Sequence, residues 1–276
     1  MSAREGSYTI ARAMLVDYHM HTPLCKHAVG EPEDYVRRAL ERGIDEIGFS
    51  DHSPMPPHYD PNFRMTVEEY PEYIERVMRA RRAFPDFPIK LGLEADFHPG
   101  TEDFVYNVTS EFDFDYIIGS VHYIGDWGFD NPENIHRYRN DRMYETYEEY
   151  FDLVARAAKS GLFDILGHID VIKKFGHRPD RSVDGLLRRA LEAVKEARMA
   201  VEVNTSGLRV PAKEIYPSRR LLEIARELGV PVTLGSDAHR PNHVGEDFDG
   251  AVALLRSVGY THVNRYAGRK AEAVPL

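Results

Sequence analysis

The stretch LVDYHMHT, residues 15–22, decides the fold. A short apolar run, Leu15–Val16, passes through Asp17 and Tyr18 into His19–Met20–His21. Side chains on an extended chain alternate with a period of two, so His19 and His21 face the same way, and so do Asp237 and His239 further on. The same event, a strand-like run ending in a metal-ligating side chain, recurs along the chain. Strand patterns lie at Met14–Tyr18, Ile44–Ser50, Ile89–Glu94, Tyr116–Val121, Ile165–Gly167, Ala200–Asn204 and Val232–Ser236, with a weaker eighth at His262–Arg265. Their carboxyl ends read His19-x-His21, Ser50–Asp51–His52, Gly92–Leu93–Glu94, Gly119–Ser120–Val121–His122, Leu166–Gly167–His168 and Gly235–Ser236–Asp237–Ala238–His239.

Helical patterns fill the gaps. Glu33–Arg42 follows Pro32 and stops at Gly43, and Ser218–Leu228 stops at Gly229, start and stop signals that helices favour. Thr66 with Glu69 reads as a capping box opening a helix to about Phe84. Further helices are expected over Tyr144–Ala158, Val183–Arg198 and Phe248–Val258. Alternating strand and helix over a whole chain implies a parallel sheet. Seven or eight such units without a dinucleotide glycine fingerprint point to an α/β barrel. In a barrel all carboxyl ends surround one mouth, where active sites are assembled.

The chain has 276 residues, 42% of them hydrophobic and 29% charged. That suits one barrel-sized domain over 14–276. Residues 1–13 have no apolar core of a secretory signal and read as a disordered lead, with Met14 as an alternative start. The net charge is −10, from 35 Lys and Arg against 45 Asp and Glu. Such a balance argues against nucleic acid as a partner, because phosphate backbones are bound by basic surface. It leaves room for a small phosphorylated substrate. No apolar run is long enough to span a membrane. One cysteine, Cys25, cannot form an intrachain disulfide, so a reducing cytoplasm is the simplest compartment. The sequence leaves a homo-oligomer open.

Seven of the 13 histidines and two carboxylates fall at the expected mouth: His19, His21, His27, His52, Glu94, His122, His168, Asp237 and His239. Nine donors exceed what one ion takes, so two or three divalent ions sharing a carboxylate is the natural count. Each donor left unpaired at a packed mouth would cost stability. Asp17 reads as an orienting or strand-capping group and Asp51 as either orienter or ligand. Cys25 reads as a bystander. His58, His98, His136, His177, His243 and His262 read as surface or locally bonded groups, with His177 and His243 near the mouth loops. The stretch Tyr123–Arg142 has no clear element and reads as a lid, a pocket wall or a self-packed excursion.

These motifs together resemble the polymerase and histidinol phosphatase (PHP) superfamily over about residues 14 to 266. Within it, His21–Thr–Pro–Leu–Cys–Lys–His27, the Trp127–Gly–Phe–Asp130 stretch and Val203–Asn–Thr–Ser–Gly–Leu–Arg209 are similar to its histidinol-phosphatase members. The resemblance implies a distorted (β/α)7 barrel with a multinuclear site of zinc, iron or manganese. It groups His19, His21, Glu94 and Asp237 on one ion, His27, His52 and His239 on a second, and Glu94, His122 and His168 on a third. It also implies a phosphomonoesterase of histidine biosynthesis that releases L-histidinol and phosphate from L-histidinol phosphate.

Phosphate ester hydrolysis needs a nucleophile, charge neutralisation and a proton for the departing alkoxide. A hydroxide bridging two ions would attack phosphorus in line, and Cys25 need not act. Arg209, Lys173, Lys174 and Ser206 are expected to meet the phosphate, since their loops follow barrel strands. Asp237 and His239 are the expected acid–base pair. The amine and imidazole of histidinol would meet loop carboxylates, for which Asp126, Asp130, Glu102 and Asp103 are available. The alternatives are a PHP-type phosphoesterase for another small ester such as a nucleotide, a non-catalytic metal-binding barrel, and an amidohydrolase-type metallohydrolase, which typically uses a mid-barrel lysine ligand in place of Glu94.

Overall fold

The structure is a computed structural model that describes residues 13–57 and 59–276. The expected lead over 1–13 lies outside the described residues except for Ala13, and so does His58.

Seven parallel strands form one sheet in sequential order: β1 (Val16–Asp17), β2 (Glu46–Phe49), β3 (Ile89–Asp96), β4 (Tyr116–Ser120), β5 (Ile165–Leu166), β6 (Ala200–Asn204) and β7 (Val232–Gly235). The sheet curls until its edges meet. Tyr18 N–H donates to the Leu234 carbonyl at 3.1 Å, and residues 19–21 and 238 exchange further bonds of 3.0 Å. The result is a nearly closed barrel. Helices α1 (Pro32–Arg42), α2 (Tyr70–Ala83), α3 (Glu102–Ser110), α4 (Met143–Lys159), α5 (Asp184–Glu196) and α6 (Arg219–Leu228) cross between successive strands, and α7 (Phe248–Val258) follows β7.

Each helix buries one face. In α6, Leu221, Leu222, Ile224 and Ala225 are fully buried, Ser218 caps the start, and Gly229 ends it in the left-handed region at φ 75°. That conformation is cheap for glycine and costly for other residues. The capping pair Thr66 and Glu69 forms both reciprocal bonds, but within a turn that precedes α2.

Inside the barrel, the Tyr116 ring lies over Gly48 and Gly92 of the neighbouring strands, where a Cβ would overlap it. Its hydroxyl donates to the Tyr18 carbonyl at 2.6 Å. Tyr18, Tyr116 and Tyr266 have ring centroids 4.8–6.2 Å apart. Tyr266 belongs to a carboxyl-terminal antiparallel hairpin, His262–Ala267 with Lys270–Pro275. The eighth strand expected at His262–Arg265 is therefore not a barrel strand. The hairpin packs at the amino ends of the strands. Arg269 N–H donates to the Asp115 carbonyl just before β4, and its guanidinium meets Asp164 just before β5. That end is plugged, and the opposite end carries the site.

Two elements were not expected. Helix α3 covers Glu102–Ser110, where Val105, Val108 and Thr109 supply a buried face but Asn107 and the β-branched residues are poor helix formers. The stretch Tyr123–Arg142 contains a small hairpin, Tyr123–Ile124 with Trp127–Gly128, and two 3-10 turns. Trp127 packs edge-on to Tyr138 and is 8% exposed. No helix among the described residues is long and apolar enough to cross a membrane.

Candidate metal centre and substrate cavity

All nine expected donors meet at the carboxyl ends of the strands, with Glu94 at the centre. Its Oε2 lies 3.2 Å from His19 Nε2 and 3.0 Å from His52 Nδ1. Its Oε1 lies 3.1 Å from His168 Nε2 and 3.7 Å from His122 Nε2, and accepts from Ser120 Oγ at 2.6 Å. Asp237 forms a second focus, with Oδ1 3.3 Å from His21 Nε2 and 3.4 Å from His239 Nδ1. His27 Nε2 faces His239 Nε2 at 2.9 Å.

Asp237 reaches this place by a route that strand alternation did not describe. Strand β7 ends at Gly235, and Asp237 adopts φ 53°. A left-handed residue of this kind costs about 1–2 kcal/mol unless glycine, and such strain persists where surrounding contacts hold it. Here Ser206 Oγ donates to Asp237 Oδ2 at 3.1 Å.

Behind the donors stand carboxylates that fix the rings. Glu202, fully buried on β6, accepts from His19 Nδ1 at 2.6 Å, from His168 N–H at 2.8 Å and from Asn204 Nδ2 at 3.0 Å. Asp96 accepts from His122 Nδ1 at 2.7 Å, and Asp51 lies 3.4 Å from His21 Nδ1. Asp51 also accepts from the N–H groups of Thr22 and His52 at 3.0 and 2.8 Å, which makes it an orienting group. Asp17 accepts from Ser236 and Gly245 N–H at 2.8 and 2.9 Å and caps the join between β1 and β7. Sequence reading missed Glu202 and Asp96. The signals were present: an acid inside the apolar strand AVEVN, and an acid two residues beyond Glu94 on the same strand face.

The electrostatics are extreme. Burial would raise Glu94 and Asp237, but the surrounding imidazoles, His52 and His19 for Glu94 and His19 and His21 for Asp237, hold both well below the ordinary carboxylate range. Burial also opposes charge on His19, yet Glu202, Glu94 and Asp237 hold it well above the ordinary histidine value. His122 is pushed up to about 9 because Asp96 outweighs burial. His52 is pushed down to about 4, chiefly by burial.

Fit to cations can be read from the buried atoms. His19 Nε2, His21 Nε2, His52 Nδ1, His168 Nδ1 and Glu94 Oε2 are buried without a hydrogen-bond partner. Unpaired polar atoms at this density are expensive, and an ion would satisfy them. Ligating histidines ordinarily donate their second nitrogen to a carboxylate or carbonyl. His19, His21 and His122 meet that rule through carboxylates, and His27 through the Cys25 carbonyl at 2.7 Å. The donor set fits divalent metal ions. Donor atoms fall within 4.8 Å in the sets His19–His21–Asp237, His19–Glu94–His168, His21–His52–His239 and Cys25–His27–His239. Thus His21 converges with His52 and His239 as well as with His19, and Cys25, fully buried, stands nearer the cluster than a bystander would.

The cluster floors two adjoining cavities. One, of about 340 Å³, has a basic wall of Lys174, Arg209, Arg240 and His243, with Ser206 between them. Arg209 is held there by the Asp237 carbonyl at 3.2 Å and by Glu246 at 3.4 Å. The other, of about 460 Å³, is walled by Asp60, Phe63, Tyr123, Asp130 and Glu133. Asp130 and Lys174, paired at 3.3 Å, stand where the two meet. The Tyr123–Arg142 stretch is thus a pocket wall.

Lys173 is not brought to the cavity. It is 2% exposed, and its ammonium meets Asp170 at 2.8 Å, Glu214 at 3.0 Å and the Ile215 carbonyl at 3.1 Å. Adjacent residues in a 3-10 turn point apart, so only Lys174 can serve the mouth. Asp126 is exposed and paired with Arg137, and Glu102 and Asp103 line a separate depression beside Arg156. Of the histidines read as bland, His98, His136 and His177 bond locally, while His243 lines the basic cavity.

Comparison with known proteins agrees with this geometry. A probable histidinol-phosphatase of Deinococcus radiodurans is 48% identical over 246 residues, 89% of this chain and 94% of that protein. The histidinol-phosphatase of Bacillus subtilis is 28% identical, over 84% of this chain and 96% of that protein. The crystal structure of histidinol phosphate phosphatase from Lactococcus lactis, complexed with zinc, L-histidinol and phosphate, superposes with a TM-score of 0.81 at 25% identity, covering 94% of this chain and 98% of that one. A family model described as PHP-associated matches residues 217–247. The PHP domain model matches residues 17–206, more than half of the sequence, and the chain belongs to the PHP domain family.

Proposed function

We propose that the chain is a metal-dependent phosphomonoesterase that hydrolyses L-histidinol phosphate to L-histidinol and phosphate. The observation that carries this reading is the two-lobed cavity: a donor cluster lies at its floor, with a basic wall on one side and an acidic, aromatic wall on the other. A phosphate ester with a cationic, imidazole-bearing tail matches both lobes. The kinship to histidinol-phosphatases supports the same substrate.

His19, His21, His27, His52, Glu94, His122, His168, Asp237 and His239 would hold two or three ions. Zinc, iron and manganese all suit imidazole and carboxylate. Such ions supply Lewis-acid charge and a water activated near neutral pH. Everything else falls to the chain's own groups. Arg209 and Lys174 take the phosphoryl oxygens, Arg209 through its planar fork. Ser206 lines the same wall with its one hydroxyl proton given to Asp237 Oδ2, and it serves the phosphoryl group by turning that proton from Asp237 towards it. Asp237, held ionised, accepts hydrogen bonds and orients the donors beside it without taking up a proton. His239, on the cavity rim, is held well below the ordinary histidine value by burial and by the neighbouring His21 imidazole, so it stands neutral and orients the ester oxygen rather than acting as the acid. Asp60, Asp130 and Glu133 face the amine, and Phe63 and Tyr123 offer faces to the imidazole.

The test is phosphate release from L-histidinol phosphate beside nucleotides and sugar phosphates, with chelator-stripped protein refilled with manganese, zinc or iron. Preference for histidinol phosphate with metal-dependent recovery is expected. Turnover of a different ester would overturn the substrate, and no turnover with bound metal would overturn the enzyme.

A further inference from the structure

The carboxylates that orient the site histidines are themselves anchored differently. Glu202 is held by a backbone N–H and a β6 side chain, and Asp51 by two backbone N–H groups. Asp96 has neither. Its side chain accepts from His122 Nδ1 and from Arg64 Nη2, both at 2.7 Å, with the Tyr59 hydroxyl beside it. Arg64 comes from far away in the barrel, on the long β2–α2 connection. It is 3% exposed. Its other arm donates to the Ser53 carbonyl at 3.1 Å, and Asp60 lies 3.6 Å from Nη2. Tyr59 covers the guanidinium, with its ring centroid 5.2 Å away.

A guanidinium is buried at a large desolvation cost unless it is paired with good geometry. Arg64 meets that condition by fixing one carboxylate. That carboxylate in turn fixes one imidazole, whose Nε2 points at Glu94 Oε1, 3.7 Å away. The same loop supplies Asp60 and Phe63 to the acidic lobe, so one segment supports both the cavity wall and the cluster.

We propose that Arg64 is a positioning residue of the metal centre, acting through Asp96 to set the ring of His122. This rests on the reading of His122 as a metal ligand. Arg64 also lines the acidic lobe but touches neither the cluster nor the phosphate-facing wall, and sequence alone gives it no role. Groups that orient ligands from behind typically govern metal affinity by about 10–100-fold.

The experiment is zinc uptake by chelator-stripped full-length protein, followed by calorimetry and by metal content after dialysis. Arg64→Met, Asp96→Asn, their double variant and Arg64→Lys are compared with the parent. Arg64→Met is expected to lose about 10–100-fold in affinity at one class of site while the others keep theirs. Asp96→Asn should do the same, and the double variant no worse than either, because the two act in series. Arg64→Lys should recover part of the loss, and it carries the test if the methionine variant does not fold. A lowered melting temperature of the metal-free variants with unchanged zinc affinity and stoichiometry would overturn the proposal, as would losses that add in the double variant. A parent that takes up no zinc would instead sink the metal-centre reading itself, which keeps the two failures apart.

Discussion

Replacing Glu202 by Gln should take the proton off His19 Nδ1 and cost metal affinity without changing shape. Glu202 is fully buried and beyond reach of the substrate cavities. One oxygen faces His19 Nδ1 at 2.6 Å, and the other accepts from His168 N–H and Asn204 Nδ2 at 2.8 and 3.0 Å. An amide has one oxygen to offer. If it faces His19, the NH2 group meets two donors, each mismatch costing about 1–3 kcal/mol. If it faces the two donors, the NH2 group meets His19 Nδ1, which must then become an acceptor. The second arrangement leaves fewer conflicts. It leaves the ring proton on Nε2 alone, the atom that lies 3.2 Å from Glu94 Oε2 and would bind metal. Losing such an orienting group costs about 10–100-fold in affinity, or about 1.4–2.8 kcal/mol. Zinc calorimetry and imidazole nitrogen NMR of the metal-free protein read both effects. Gly235→Ala is the steric counterpart, because its Cβ would overlap the Glu202 carboxylate and lie 2.8 Å from His19 Cβ. Parental zinc affinity in Glu202→Gln, with the proton still on Nδ1 of His19, would refute the reasoning.

Three further outcomes are expected. In the metal-free protein His122 is raised from 6.5 to about 9 by Asp96. Its contribution, at most about 3 kcal/mol, should be fully present below pH 6.5 and lost as pH rises through about 9. Denaturant melts across that window should show the loss, and Asp96→Asn should abolish it. Lys173→Met and Lys174→Met should part company. The first breaks a buried ion pair and should cost about 3–5 kcal/mol of stability with KM little changed in the surviving fold, whereas the second should spare stability and raise KM about tenfold or more. Steady-state kinetics beside thermal melts separates them. Phe63→Ala should raise KM for histidinol phosphate by about three- to tenfold and leave a simple alkyl phosphate unaffected; equal changes for both substrates would remove the imidazole from that wall.

What could be read from the chain, and what could not, follows from how far each fact depends on local order. His19 and His21 were legible because their placement needs only an extended backbone and a period of two. His52, Glu94, His122 and His168 were legible because each sits in or within three residues of the carboxyl end of an apolar strand. The barrel itself followed, since six such endings have to share a mouth. Asp237 was placed correctly for an incomplete reason: a left-handed turn, not strand alternation, aims it. Lys173 and Lys174 are adjacent in a short turn, and nothing local says which one is buried by Asp170 and Glu214. Glu202 and Asp96 were present as acids in strands but lacked meaning until their partners, His19 and His122, were folded against them. Arg64 is the limiting case. Its role exists only because the loop after β2 brings a guanidinium to Asp96, 32 residues further along the chain. Donors can be found from sequence because chemistry fixes their type. The groups that aim them can be any residue able to hold a charge or a hydrogen bond, so only their geometry identifies them.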